Sequence, residues 1–143
     1  MRFSSVTGDG TLFGERVLHR LQHDDLLWLT TVAPDATPQP SPIWFYWDGA
    51  TILIYSQPNT PKLRNIAVHP RVSLNFQADA HGDDIVIITG QAALDPDAVP
   101  SNQHPAYRRK YAALTEHIGY TPERLAAEFS VAVRVTPDLV RGF

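Results

Sequence analysis

The sequence predicts an α+β chain dominated by β structure: a six-stranded antiparallel β-barrel with short covering helices. Three observations carry this. Short apolar runs with period-two alternation, bounded by Pro, Gly and Asp, recur along the chain, and helical spacing occurs only in brief stretches between them. The 143 residues, 43% apolar and 19% charged, match the commonest size of one folding unit with enough apolar content for one core. No tandem repeat or low-complexity segment breaks the pattern, so residues 1–143 read as a single unit.

Met1 to Thr11 is polar and Gly-rich, and positions 1–13 are expected to form a flexible arm. Val17, Leu18 and Leu21 fall at helical spacing between Glu15 and His23. Leu26 to Ala33 is the first strand, and Pro34 to Thr37 the turn after it. Pro40 to Trp47 is read as the second strand; because proline cannot donate to a ladder, Pro38, Pro40 and Pro42 place it at an edge or an opening. Asp48-Gly49 is a hairpin signal leading to Thr51–Ser56, with Ile52, Ile54 and Ser56 on one face and Leu53 and Tyr55 on the other.

Thr60 then caps a helix with Pro61 at its first position, turning Leu63, Ile66 and Ala67 inward and stopping before Pro70. Arg71–Gln77 and Ile85–Leu94 are two further strands, and Gly90 inside the second marks a bulge or a close backbone approach. Helices are expected at Tyr107–His117 and from Thr121-Pro122 to Phe129, and alternating valines give a final strand over Val131–Thr136.

The formal net charge of -3, with no basic run, excludes a general nucleic-acid binder, which needs a basic face to displace counterions. Arg108, Arg109 and Lys110 are the densest basic cluster, read as a solvated helix face. The chain has no cysteine, which removes disulfides, thiolate nucleophiles and cysteine–zinc sites. The first 14 residues hold no apolar stretch of a secretory signal, and no apolar run approaches the ~20 residues that span a bilayer. A soluble, cytoplasmic protein is expected.

Two stretches could carry chemistry. In the first, Ser56 to Asn65, Lys62 lies in the first turn of the capped helix. There the helix dipole favours an anion and disfavours a lysine, so the cation suggests that an anion comes from outside, with Ser56 and Thr60 adding hydroxyls. The same residues also make a plain capped helix with Lys62 in solvent. The second stretch is Ile43-Trp44-Phe45-Tyr46-Trp47, where alternation puts Trp44 and Tyr46 on one face and Ile43, Phe45 and Trp47 on the other. Both faces are bulky, so the outer one must meet a partner subunit, a ligand or a covering helix. His19 and His23 have the spacing of a metal pair but no acidic third ligand, and no metal site is assigned. Tyr107 and Tyr111 are helix-spaced and read as packing residues. No Ser-His-Asp arrangement is found.

Asp35-Ala36-Thr37-Pro38, Pro42-Ile43-Trp44-Phe45, Asp48-Gly49, Ser56, Lys62-Leu63-Arg64-Asn65 and Pro70-Arg71-Val72, in that order and spacing, resemble the pyridoxamine 5'-phosphate oxidase-like split-barrel family. Within it they resemble the actinobacterial branch whose enzymes use coenzyme F420, a deazaflavin. The similarity covers Leu18 to Leu94 well, and Val131–Thr136 with the tail Arg141-Gly142-Phe143 less tightly. Ala36 stands where the family has Gly, and Asp95 to Glu128 does not align.

The resemblance implies a split barrel acting as a homodimer with cofactor clefts at the interface. It implies that Ser56, Lys62 and the turn of Thr60, Pro61 and Leu63 hold the cofactor phosphate, and that Ser41, Pro42, Ile43, Trp44 and Phe45 lie along the tricyclic ring, largely through backbone groups. The activity implied is hydride transfer from reduced F420 to an unsaturated small molecule. Alternatives are an FMN oxidase or reductase of the same fold and a non-catalytic flavin or deazaflavin carrier. The cofactor carries the redox chemistry in such proteins, so the lack of an acid–base constellation is expected.

Overall fold

A computed structural model describes every residue of the chain except Thr7. Its strands are β1 (Leu27–Val32), β2 (Pro38–Ile43), β3 (Tyr46–Trp47), β4 (Ile52–Ser56), β5 (Arg71–Asn75), β6 (Val86–Leu94) and β7 (Val131–Gly142). They form one antiparallel sheet, in the order β2-β1-β5-β6-β7-β4-β3, curled into a half-barrel. The helices are α1 (Phe3–Val6), α2 (Leu12–His23), α3 (Pro61–Val68), α4 (Pro105–Lys110), α5 (Ala112–His117) and α6 (Pro122–Glu128), with a 3-10 turn at Ser101–Gln103. No described helix is long and apolar enough to cross a membrane.

Seven strands replace the six expected because the aromatic run does not stay in one ladder. β2 ends at Ile43, β3 starts at Tyr46, and Trp44-Phe45 links them outside any strand. The Phe45 N–H donates to the Tyr111 hydroxyl (2.8 Å) and the Phe45 carbonyl accepts from Lys110 Nζ (2.8 Å), so helix side chains replace a neighbouring strand. β2 is an edge strand, as its prolines require. Pro38, Pro40 and Pro42 stand opposite Val32, Thr30 and Trp28 at every second position, so their missing N–H groups fall on one side of the strand.

β7 runs past the expected end at Thr136 because the sheet absorbs Pro137-Asp138 as a bulge. The register shifts between Thr89 and Gly90, with Gly90 opposite Pro137 and Thr89 opposite Leu139. A Cβ on Gly90 would lie 2.4 Å from the Thr136 carbonyl oxygen, so the glycine serves both the bulge and the close approach expected of it.

Two apolar cores lie on the two faces of the sheet. The barrel interior holds Leu27, Leu29, Ile43, Phe45, Ile52, Ile54, Val72, Leu74, Ile88, Val133 and Val135, closed by Val17 and Leu21 of α2. The outer cluster joins Leu53, Tyr55 and Ala132 to Tyr107, Tyr111 and Leu125, with Trp44 and Tyr46 packed against it. The face assignments read from alternation therefore hold on both sides of the break at Trp44-Phe45. Of the three covers the outer aromatic face could take, the chain supplies a helical one from its own residues 105–128.

Four local expectations are corrected. The N-terminal stretch is not a loose arm: Phe3 and Val6 are buried in the barrel core, and Arg2 bridges to Leu139. The helix expected over Tyr107–His117 is two helices broken at Tyr111, whose ψ of 13° leaves the helical range. On α3 Leu63 and Ile66 turn inward as expected, but Asn65 takes the place of Ala67, which is exposed. Lys110 does not join the solvated face of Arg108 and Arg109, because its ammonium sits 3.7 Å from the centre of the Phe45 ring.

Candidate functional site

A cleft of about 220 Å³ opens where the β2–β3 link, the end of β4 and the start of α3 meet the 3-10 turn and α4–α6. Its barrel-side wall is Pro42, Ile43, Trp44, Tyr55, Ser56, Gln57, Thr60 and Lys62. The facing wall comes from Ser101, Tyr107, Ile118, Leu125 and Phe129. One end is polar and cationic, and the rest is largely aromatic and aliphatic.

The polar end is built by the turn into α3. Asn59 takes a positive φ of 63°, which reverses the chain after Pro58, and its carbonyl is pinned by Arg64 Nη1 (2.7 Å). Thr60 is the helix N-cap with extended backbone, and its carbonyl accepts the Leu63 N–H (3.2 Å). Its hydroxyl does not cap the helix. It lies 3.1 Å from Ser56 Oγ, which in turn donates to the Gln57 carbonyl (2.8 Å). The two hydroxyls are thereby held side by side at the helix start, where N–H groups lack intrahelical partners.

Lys62 stands in this first turn, half-buried, and its ammonium makes no hydrogen bond or ion pair with any described residue. Burial pulls its pKa below the ordinary lysine value. A desolvated cation that lines one cleft with two hydroxyls and a helix N-terminus has the chemistry to accept an anionic oxygen group.

α3 is fixed to the barrel by Asn65, 3% exposed, whose Nδ2 donates to Thr31 Oγ1 (3.0 Å) and to Gln39 Oε1 (2.8 Å). One side chain thus ties the helix to β1 and β2 together. Asn65→Ala removes both bonds and strands a buried hydroxyl, so a loss of about 2 kcal/mol in urea unfolding is expected, with Lys62 mispositioned as a consequence. A change within about 0.5 kcal/mol would show that the tie is dispensable.

The facing wall is anchored by aromatic stacking and by Tyr111. Trp44 stacks on Tyr111 with ring centres 4.6 Å apart and planes 3° from parallel, and Tyr55 meets Tyr107 edge-on at 4.9 Å. The Tyr111 hydroxyl accepts the Phe45 N–H and donates to the Asp25 carbonyl (2.8 Å), with the Phe45 carbonyl as a second acceptor at 3.0 Å. Tyr55 donates to the Val99 carbonyl (2.7 Å), fastening the segment before the 3-10 turn to β4. Burial holds the phenols of Tyr107 and Tyr111 protonated well above the usual tyrosine range, and pushes Lys110 down to about 8.

Of the ten residues the sequence puts forward, the structure brings six into the cleft: Pro42, Ile43, Trp44, Ser56, Thr60 and Lys62. Four lie outside it. Phe45 is fully buried in the barrel core with its backbone groups bonded to Tyr111 and Lys110, and Leu63 packs against the same core. Pro61 is exposed on the first turn of α3, and Ser41 is half-buried on β2. Sequence reasoning missed Tyr55, Gln57 and the whole facing wall. The spacing of Tyr107 and Tyr111 pointed to packing, which holds for Tyr111, but nothing local shows that Tyr107 borders a cleft.

The fold is shared with known proteins. The family model described as pyridoxamine 5'-phosphate oxidase matches residues 13–142. Among solved structures, an F420 reductase is 25% identical with a TM-score of 0.66, covering 86% of this chain and 94% of its own. The heme storage protein HutZ from Vibrio cholerae is 17% identical with a TM-score of 0.63, covering 92% and 95%. General Stress Protein 26 from Bacillus anthracis is 17% identical with a TM-score of 0.65, covering 88% and 89%. At that identity the last two share the fold alone. No curated protein matches the chain by sequence.

Proposed function

The chain belongs to the pyridoxamine 5'-phosphate oxidase family, and from that premise we propose that it is an oxidoreductase transferring a hydride from reduced F420 to an unsaturated small molecule. The observation that carries the reading is the ammonium of Lys62, unpaired among the described residues, which with Ser56 and Thr60 lines the polar end of a cleft whose remaining walls are largely apolar. That donor set fits a phosphate, and the face of Trp44 suits a flat ring system. The bound cofactor supplies the hydride. The protein's residues orient it: Lys62, Ser56 and Thr60 hold its phosphate, and Pro42, Ile43 and Trp44 line the path of the ring.

FMN offers the same phosphate, and an FMN oxidase or reductase, or a non-catalytic carrier, is the second reading. Heme is less well matched, because the cleft is lined by no histidine, methionine or cysteine, and burial raises the pKa of its two tyrosines, Tyr55 and Tyr107, which disfavours the phenolate an axial ligand would need. The cleft of one protomer, about 220 Å³, is smaller than the ~300–1,000 Å³ of typical ligand sites, so a cofactor of this size overhangs its mouth. A homodimer that closes a second surface over the mouth is therefore part of the proposal, as is a cytoplasmic location.

Titration with F420 and FMN under identical conditions, alongside light scattering, tests this. Binding of F420 in the micromolar range or tighter, with FMN weaker, and a dimer in solution are expected. Preferential FMN binding would shift the reading to the flavin enzymes. Binding of neither, by a monomer, would remove it.

A further inference from the structure

The facing wall of the cleft is apolar apart from two hydroxyls, and neither has a partner among the described residues. Ser101, on the 3-10 turn, is 3% exposed, and its Oγ is buried with no hydrogen bond. Tyr107, on the first turns of α4, is 3% exposed, and its hydroxyl bonds to no described residue. Their neighbours are satisfied: Tyr55, Tyr111 and Thr115 each donate to a backbone carbonyl. Leaving a buried hydroxyl unsatisfied costs ~1–3 kcal/mol, so the Ser101 hydroxyl is a liability unless something else bonds it, and the Tyr107 hydroxyl in the same wall is a donor open to the cleft.

Two spaces border this pair. One is a void of about 10 Å³ beneath α4–α6, too small for any organic ligand. The other is the cleft, which both residues line. Around them the facing wall is Ile118, Leu125 and Phe129, an apolar surrounding across the cleft from Lys62. Burial keeps the Tyr107 phenol protonated throughout the physiological range, so it is available as a donor and not as a second anion.

We propose that Ser101 and Tyr107 are the specificity-determining residues of the cleft, donating hydrogen bonds to a carbonyl oxygen of a flat, conjugated ligand that packs against Leu125 and Phe129. This deepens the reading above and rests on it in one respect: the ligand is the molecule to be reduced, and Lys62 serves the cofactor. A site built to bond an acceptor oxygen rejects an analogue that lacks it, because the hydroxyls are then left buried and unpaired.

The test uses the full chain and two ligands of one skeleton, menadione and 2-methylnaphthalene, which lacks the carbonyls. Binding is followed by Trp fluorescence in wild type, Ser101→Ala and Tyr107→Phe, together with F420 and FMN affinity and the apo melting temperature. Wild type is expected to prefer menadione at least tenfold. Each variant should lose five- to twentyfold in menadione affinity, keep its affinity for 2-methylnaphthalene and keep cofactor affinity within twofold. The apo melting temperature should be unchanged or higher in Ser101→Ala, where a buried unsatisfied hydroxyl has been removed, and unchanged in Tyr107→Phe. A purely structural role predicts the reverse, lower melting with unchanged discrimination, and that result overturns the proposal. If wild type binds the cofactors but does not discriminate the two skeletons, the inference fails and the functional reading stands. If it discriminates them but binds neither cofactor, the functional reading fails and the inference stands. Binding of nothing removes both.

Discussion

Tyr111→Phe is expected to destabilise the protein by about 2 kcal/mol, although it removes a single oxygen atom. That oxygen takes the Phe45 N–H and donates to the Asp25 carbonyl, with the Phe45 carbonyl also within reach. Phe45 is fully buried, so its N–H would be left without a partner and without water, and such a stranded donor costs ~1–3 kcal/mol. Tyr111→Ala would add the loss of the ring, whose stack on Trp44 and contact with Tyr107 close the outer core, for a total of ~3–5 kcal/mol. Lys110→Met is the control. It removes the ammonium bonded to the Phe45 carbonyl, but Tyr111 remains within reach of that oxygen and burial already disfavours the charge, so less than about 1 kcal/mol is expected. Urea unfolding of the three variants ranks them. If Tyr111→Phe unfolds like wild type, the hydroxyl does not hold the β2–β3 link, and the break at Trp44-Phe45 needs another cause.

That break shows where sequence reasoning stops. Alternation from Ile43 to Trp47 told correctly which side chain faces which core, because alternation is a local property of extended backbone. It could not tell that Phe45 would take its hydrogen bonds from residues 65 and 66 positions away. The prolines of β2, the Asp48-Gly49 turn, the Thr60-Pro61 helix start and Gly90 were legible for the same reason: each constrains its own backbone. Phe3 and Val6 were not, because a four-residue helix in a polar, Gly-rich stretch leaves no periodicity to read, and only the assembled barrel offers it a surface. The cleft divides along the same line. Ser56, Thr60 and Lys62 share a turn and a capping pattern, so their chemistry could be inferred together. Ser101, Tyr107 and Phe129 come together only when residues 101–129 fold back across β4, and the hydroxyls of Ser101 and Tyr107 gain meaning only from the cleft that fold creates.

Lys62→Ala is expected to weaken cofactor binding by one to two powers of ten without harming the fold. The ammonium is half-buried, lacks a partner among the described residues, and opposes the dipole of α3, so in the apo-protein it contributes little or is mildly destabilising. A bound phosphate converts that opposition into a charge-assisted hydrogen bond, typically worth ~1.5–3 kcal/mol, at ~1.4 kcal/mol per tenfold in affinity. The apo melting temperature should be unchanged or slightly raised. Lys62→Met separates charge from stem: it keeps the apolar packing and should lose nearly as much affinity as alanine. Inorganic phosphate should compete with the cofactor in wild type and do so less in either variant. Burial sets the sign of the pH dependence. The apo pKa of Lys62 lies below the ordinary lysine value, so the ammonium is lost earlier than usual as pH rises, and cofactor affinity should fall on the alkaline side in wild type but stay flat in Lys62→Met. Calorimetry at several pH values, with F420 and FMN, measures all of this at once. Unchanged affinity in both variants would place the phosphate elsewhere, and the aromatic length of the cleft would then have to be read from the other end.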